Sequence, residues 1–475
     1  EFCGPCARLN YAKRNQLADL RGKVVLLTGS RVKIGFRCGL RLLRCGATLI
    51  ATSRFPHDTA KRYAEEKDFN VWRSRLHIYG LDLRDLKSVV KLADILSDRY
   101  DRLDAIINNA AQTVRRPPMY YRHLLPIECL KPSELPKDWK EVVKGDLHEL
   151  AGRARLAEEG KQARLEANET GIGSKSSVTV EDISHVISEA MTPNGNVEQV
   201  IEKITSDNKV EKDVATTAAA AAAPTASSSS SSATVTDAPP SPSPSPSPSH
   251  MDVFHPSEDI NAALLTTSNR AAALSQLTVL PGDQHQDSAL FPENRFDVTG
   301  QQLDLRKVNS WNLTLDQVDP SELVEVFAIN ALSPFILNSR LKGLMLKGGR
   351  HPQLGIQVTD KYIINVSAME GKFYRHKSPY HPHTNAAKAA LNMLTRTSAQ
   401  DYSRDRIYMN SVDTGWINDE NPYETAKRLY EKHNWQTPID EEDAMARILD
   451  PLLSGVNTGI NCFGKFFKDY HETEW

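Results

Sequence analysis

"LLTGSRVKIG", residues 26–35, is the stretch on which the fold turns. It continues an apolar run, "KVV", that reads as a buried parallel strand. It leads into "IGFRCGLRLLRCG" (34–46), whose apolar residues recur at helical spacing before a glycine stop. A glycine motif with a strand before it and a helix after it becomes a cofactor hypothesis. Gly29 allows the tight turn, Gly35 lets the helix approach the sheet, and the helix N-terminus offers free N–H groups to a pyrophosphate. Thr28, Ser30, Arg31, Lys33 and Ile34 complete the candidate cradle.

Working outward, the α/β alternation continues. "ATLIATSR" (47–54) reads as a second strand, "AKRYAEEKD" (60–68) and "DLKSVVKLADILSDRY" (85–100) as helices, and "LDAIINNA" (103–110) as another buried strand. Strands separated by helices of this length imply βαβ units and a parallel sheet. An acidic residue about 20 positions after the loop would hold the ribose 2′-OH of NAD. Ser53 and Arg54 stand there instead, and a guanidinium suits a 2′-phosphate. With Arg31 and Lys33 nearby, NADP(H) is expected over NAD(H). The strand ends Asp82, Leu83, Asn109, Ala110 and Ala111 are expected to meet adenine and ribose, because ligands of open α/β sheets lie outside the carboxyl ends of the strands.

From about Arg115 to Gln317 the pattern stops. This stretch holds an Ala/Ser/Pro-rich linker (about 214–250) ending in "PPSPSPSPSPSH", which cannot bury a core and is expected to stay extended and disordered. Flanking pieces, "LAGRARLAEEGKQARLEAN" (150–168) and "VEDISHVISEAM" (180–191), read as short helices. The α/β pattern resumes with "ELVEVFAINALSPFILNSRL" (322–341, helix), "KYIINVSA" (361–368, strand), the helix 384–402, "IYMNSVDTGWI" (407–417), "EEDAMARILDPLLSG" (441–455, helix) and "CFGKFFKDY" (462–470). The expected organisation is therefore four segments: an N-terminal piece (1–20), the first part of a Rossmann-type domain (21–115), an insertion (116–317) and the second part (318–475).

Taken in that order, TGSRVKIG, DLRD, NNAA, FAINAL, INVSA, TNAAKAALNM and NSVDTGWI resemble the short-chain dehydrogenase/reductase family over about 21–115 and 320–420. The resemblance implies one doubly wound α/β domain, a nicotinamide cofactor, and hydride transfer between that cofactor and a carbonyl or alcohol. Asn330 and Lys388 match the asparagine and lysine of the family's proton relay. The lysine would bind the nicotinamide ribose, and Thr414 and Gly415 match the turn that also meets the cofactor. The relay tyrosine is Thr384, a far weaker acid than a phenol. The relay serine aligns with Ala368, and Ser367 is one position early, on the other face of a strand. The middle glycine of the loop is Lys33.

"KFYRHKSPYHPH" (372–383) offers replacements. Tyr380 and His383 are the candidates there, since a loop tyrosine or a histidine near neutrality can carry a proton. The blander alternative has His381 and His383 capping the helix around Pro382. The reading is thus an oxidoreductase with a non-standard relay of Lys388, Asn330, Thr384, His383, Tyr380 and Ser367. The competing reading is a catalytically silent nucleotide-binding scaffold or redox sensor.

Cys3 and Cys6 form a CxxC pair, half of a structural zinc site that would need further ligands upstream. The other four cysteines are scattered singly, as in a reduced, cytoplasmic chain. A net charge of −2 gives no field for nucleic acid or an acidic membrane surface, and no apolar run long enough to cross a bilayer is expected. The sequence leaves open the small-molecule substrate, a homodimer or homotetramer, and protein partners of the Ser/Pro-rich insertion.

Overall fold

The computed structural model describes residues 2–145, 269–284, 287–349, 359–374, 376–417, 420–434 and 437–475. The linker about 214–250 and the two short helices expected at 150–168 and 180–191 lie outside the described residues.

Eight strands form one sheet in the order β3-β2-β1-β4-β5-β6-β7-β8. They are β1 (Val24–Thr28), β2 (Thr48–Ser53), β3 (Leu76–Gly80), β4 (Ala105–Asn108), β5 (Lys361–Ser367), β6 (Ile407–Asp413), β7 (Phe466–Lys468) and β8 (His471–Thr473). All neighbours pair in parallel except β7 and β8, a short antiparallel hairpin that the sequence reading did not anticipate. The order reverses between β1 and β4, which is where ligands lie in such sheets. Register aligns Thr28 with Thr52, Asn108 with Asn365, and Ser367 with Asp413, so the motif residues share one edge of the sheet.

The strands read as continuous apolar runs because both faces are covered. One face packs Leu27, Leu49, Ile107 and Ile364 beneath helices Lys33–Arg44 and Glu441–Thr458. The other packs Leu26, Ile106, Ile363 and Met409 beneath Leu86–Arg99 and Ser333–Arg340. At the opposite edge, buried Asp104 gathers Lys361 Nζ at 2.7 Å, Arg102 at 2.6 Å and the Val24 amide at 2.8 Å. This clamp fixes the starts of β1, β4 and β5.

Several helices start or bend away from their expected limits. The helix after β2 runs Pro56–Ala64, with proline in its first turn where the missing N–H costs nothing. The run Pro320–Lys347 is interrupted by a π-helical turn, Ala328–Leu332, centred on Asn330. That run is apolar enough, by length and composition, to pass for a membrane-crossing segment, contrary to expectation, but 56% of its most apolar window is buried within the protein. Residues Gly4–Arg14 form a helix held on Glu441–Thr458 through Lys13–Asp450 and Arg14–Asp440.

The described flanks of the insertion fold onto the sheet. Short helices Pro118–Tyr121, Leu125–Glu128, Lys137–Val142 and Arg270–Leu274 lie here. Val143 bridges to Ile78 at the outer edge of β3. Buried Arg115 holds Asp283 at 2.6 Å and Glu325 at 2.9 Å, tying the insertion to the asparagine helix.

Candidate active site

The glycine loop is built as its sequence requires, with one exception. Gly29 has φ 70°, and a side chain there would press on Ala110 at 3.0 Å. A Cβ on Gly35 would overlap the carbonyl of Gly29 and crowd Asn109 Nδ2 at 2.7 Å, so only glycine lets the helix close on the loop. Thr28 Oγ1 accepts from the Ala110 amide at 3.0 Å, and Asn109 Nδ2 donates to the carbonyls of Thr28 and Gly29. These bonds lock β1's end to β4's. The exception is Lys33, which adopts φ 51° where the sequence pattern elsewhere wants glycine. Lysine in the left-handed region is strained, and its ammonium is delivered to the mouth of the loop in return.

Beside that loop lies a cavity of about 420 Å³ lined by Arg31, Lys33, Arg37, Arg62, Thr299 and Glu441. Arg31 and Arg62 share Asp58 and Arg37 pairs with Glu442, which leaves Lys33 as the cation of this lining without an ion-pair partner among the described residues, at a helix N-terminus that suits phosphate. The adenosine end differs from expectation. Arg54 is not free: Nη2 donates to the Tyr121 hydroxyl at 2.7 Å, and its guanidinium lies 4.5 Å from that ring's centroid. Buried Arg31 pairs with Asp58 at 2.9 Å and Gln301 at 2.5 Å. Ser53 Oγ accepts from the Phe55 amide. Asp82 is buried and paired with Arg84 at 2.7 Å, and the carbonyl of buried Leu83 accepts from Ser333. Ala111 and Ile34 sit at the same strand-end surface, in the β4 loop and in the first turn of the loop helix. Tyr121 and Gln301, which hold Arg54 and Arg31 from the insertion, were not legible as site residues, because contacts from a non-periodic segment leave no pattern in the sequence.

The reactive end is set by the lysine helix, Pro382–Arg404. Thr384 and Lys388 are four residues apart and so share a face one turn apart. Lys388 is buried, its Nζ donating to the Val366 carbonyl at 2.8 Å. Burial pushes its pKa down to about 8, against the opposing pull of Glu370 and Asp413. Asp413 Oδ1 in turn accepts from the Gly415 amide at 2.8 Å, shaping the turn in which Thr414 Oγ1 donates to the Gly415 carbonyl. Ser367 Oγ and Thr384 Oγ1 are both buried without a hydrogen-bond partner. Asn330 exchanges two bonds with the Gln112 backbone, at 2.8 and 2.9 Å. Its π-turn is a departure that recurs at functional sites.

The histidine-rich segment divides. His381 precedes the helix in a left-handed conformation, stacks on Trp311 at 3.8 Å and bonds to the Trp311 carbonyl at 2.9 Å. Its side chain makes no capping bond to the helix and is tied to Trp311 instead. Tyr380 is 44% exposed and lies before the helix, so its side chain does not join the buried group. His383 is buried in the first turn, with Nε2 3.5 Å from Glu322 Oε1, an electrostatic contact too long and misaligned for a hydrogen bond. Burial raises the Glu322 pKa, but His383, Ser310 and Arg115 together hold it below its ordinary value. Glu322 is thus a residue of the site that sequence reasoning missed. It belongs to a helix, Pro320–Phe327, whose apolar spacing accounts for its sequence without a site.

No group of three or more His, Cys, Asp or Glu able to hold a metal occurs among the described residues. Cys3 and Cys6 are exposed at the start of the Gly4–Arg14 helix, and no third ligand joins them there.

Residues 23–122 match the family model described as short chain dehydrogenase, and residues 311–451 match the model described as Enoyl-(Acyl carrier protein) reductase. An uncharacterized protein of Acanthamoeba polyphaga mimivirus is 23% identical over 95% of this chain and 67% of its own length. An uncharacterized oxidoreductase of Schizosaccharomyces pombe is 30% identical over 33% of this chain and 48% of its own length, so the chain spans about half of that relative. Among solved structures, a short chain dehydrogenase from Shigella flexneri aligns over 96% of this chain and 95% of its own, with 12% identity and a TM-score of 0.43. The two matched segments flank the insertion and contain the glycine loop, Asn330 and Lys388, and this chain belongs to the short-chain dehydrogenase/reductase family.

Proposed function

We propose that the protein is an NADP(H)-dependent oxidoreductase that interconverts a carbonyl and an alcohol through a relay lacking the tyrosine. The observation that carries this reading is the buried Lys388, held one turn beyond Thr384 at the end of β5. An ammonium in such a place costs stability, and a fold gains nothing structural from it that an apolar residue would not supply better. The phosphate end fits a nicotinamide dinucleotide, because the basic cavity at the loop complements its phosphates. Bound there, that cofactor supplies or takes the hydride. The chain's own residues do the rest: Lys388 provides a positive field near neutrality, and the buried, unpartnered Thr384 and Ser367 hydroxyls are the groups that would bond a substrate oxygen. His383, beside Glu322, is the group able to take up and release a proton. The preference for NADP(H) rests on Arg54 at the end of β2, with Lys33 adding positive charge at the loop.

The second reading, a silent nucleotide-binding module, is favoured by one specific observation. The Lys388 ammonium spends one of its donors on the Val366 carbonyl, and among the described residues it bonds no tyrosine hydroxyl. Following NADPH absorbance against a panel of aldehydes and ketones separates the two. The enzyme reading expects turnover that is lost in Lys388→Ala and cut strongly in His383→Asn. Tight NADPH binding with no turnover of any carbonyl would favour the module. Pairing of two copies through the exposed apolar residues Leu332, Phe335 and Met393 is part of the same proposal; Phe335→Asp should lower the mass measured by light scattering.

A further inference from the structure

The adenosine end of the site is furnished with this chain's own groups. At the end of β2, where Arg54 and the first amides of the next helix would read an adenine and its ribose phosphate, the insertion supplies an aromatic ring and a carboxylate. Tyr121 places its ring under the Arg54 guanidinium, 4.5 Å away, and its hydroxyl on Nη2. Phe55 lies tilted against it at 5.3 Å, and with Leu124 and Ala272 the two rings make a small closed apolar cluster. Glu128, fully buried, receives the amides of His57 at 3.2 Å and Asp58 at 2.8 Å in the first turn of helix Pro56–Ala64, and Asn269 Nδ2 at 2.6 Å. A flat ring stacked on a guanidinium, with an acid seated on a helix N-terminus, has the chemistry of a base and its phosphate.

We propose that residues 118–128 act as an internal substitute for the adenosine phosphate half of the dinucleotide, so that the cofactor must displace Tyr121 and Glu128 to bind in full. The proposal rests on the NADP(H) reading and adds a regulatory contact to that site. Two features make the substitute displaceable. It is joined to the sheet through elements of only four residues, Pro118–Tyr121 and Leu125–Glu128. Burial also pushes the Glu128 carboxyl up to about 8, against the amides and Asn269 that favour its charge. A ribose phosphate, with a second ionisation near 6, is the better anion for the two helix amides around neutrality. The phosphate cavity beside the loop is open meanwhile, so the cofactor's two halves meet different conditions.

The test is calorimetric titration of the full chain with NADPH and, separately, with reduced nicotinamide mononucleotide, which lacks the adenosine phosphate. If a closed state holds most of the population, the apparent affinity is lowered by the open fraction. Tyr121→Ala and Glu128→Gln are therefore each expected to tighten NADPH by about ten-fold or more and to leave the mononucleotide unchanged. Weaker or unaltered NADPH binding in both would overturn the substitution, since Tyr121 and Glu128 would then be ordinary walls of the site. Because Tyr121→Ala opens a buried cluster, hydrogen exchange on the unaltered chain gives a second readout. Peptides spanning 118–128 should exchange faster under saturating NADPH, and slower exchange would contradict displacement. Mononucleotide binding without NADPH binding in any variant overturns the proposal while sparing the nicotinamide site. Absence of both ligands in every variant overturns the NADP(H) reading along with it.

Discussion

Lys388 donates its ammonium to the carbonyl of Val366 at 2.8 Å, inside the protein, where a lysine is an expensive choice. A shift from 10.5 to about 8 corresponds to roughly 3 kcal/mol of cost at neutral pH. Lys388→Met is therefore expected to raise stability by about 1–3 kcal/mol at pH 7, the lost hydrogen bond returning part of the gain. The pH dependence has a definite sign. Between about 8 and 10.5 the unfolded chain binds the proton that the folded one has released, so the wild type gains stability as pH rises through that window. Urea melts at pH 7 and pH 10 should show the advantage of the methionine variant shrinking. A variant less stable than wild type at pH 7 would mean that Lys388 is structural.

Thr384 is fully buried with an unpartnered hydroxyl. Removing that hydroxyl with the isosteric Thr384→Val should stabilise the fold by about 1 kcal/mol, because an unsatisfied buried polar group carries a penalty. If the hydroxyl holds the substrate oxygen, the same change lowers kcat about ten-fold or more while NADPH binding is kept. Thermal melts and turnover on one preparation check both.

Lys33 occupies a glycine conformation at φ 51°. Lys33→Gly should relieve about 1 kcal/mol of backbone strain. It should at the same time weaken NADPH several-fold, because the cavity loses one of its cations. Raised melting temperature with weaker binding is the expected pair of results. Unchanged affinity would show that the ammonium does not meet the phosphates.

Much of this was legible because it depends on local rules. Gly29 and Gly35 announce a turn and a close approach, and the apolar strand runs announce a sheet covered on both faces. Asn330 and Lys388 stand at the spacing their strands and helices impose. The partners of Arg54 and Arg31 were not legible, because Tyr121 and Gln301 arrive from an insertion with no period. A free arginine after a strand and one stacked under a tyrosine have the same sequence. Glu322 was not legible for a related reason, since its contact with His383 joins helices 61 positions apart in the chain. The three-residue strands β7 and β8 are too short to carry an alternation.

Asp104 offers a test of the fold alone. Arg102 and Lys361 hold its carboxyl below the ordinary range although burial acts to raise it. Its stabilising effect is present above an unfolded-state value near 3.9 and is lost as pH falls through the lower folded value. Asp104→Asn leaves the buried Lys361 ammonium unpaired, and should cost about 3–5 kcal/mol at neutral pH. Acid titration monitored by circular dichroism should then show a smaller loss for the variant than for the wild type.

The most direct measurement of the central claim is calorimetric titration of the purified chain and its Tyr121→Ala variant with NADPH and with NADH. NADPH-selective binding, tighter in the variant and weakened by Lys33→Gly, is the result expected of a nicotinamide site with a basic phosphate cavity. Failure of either chain to bind either dinucleotide would contradict it.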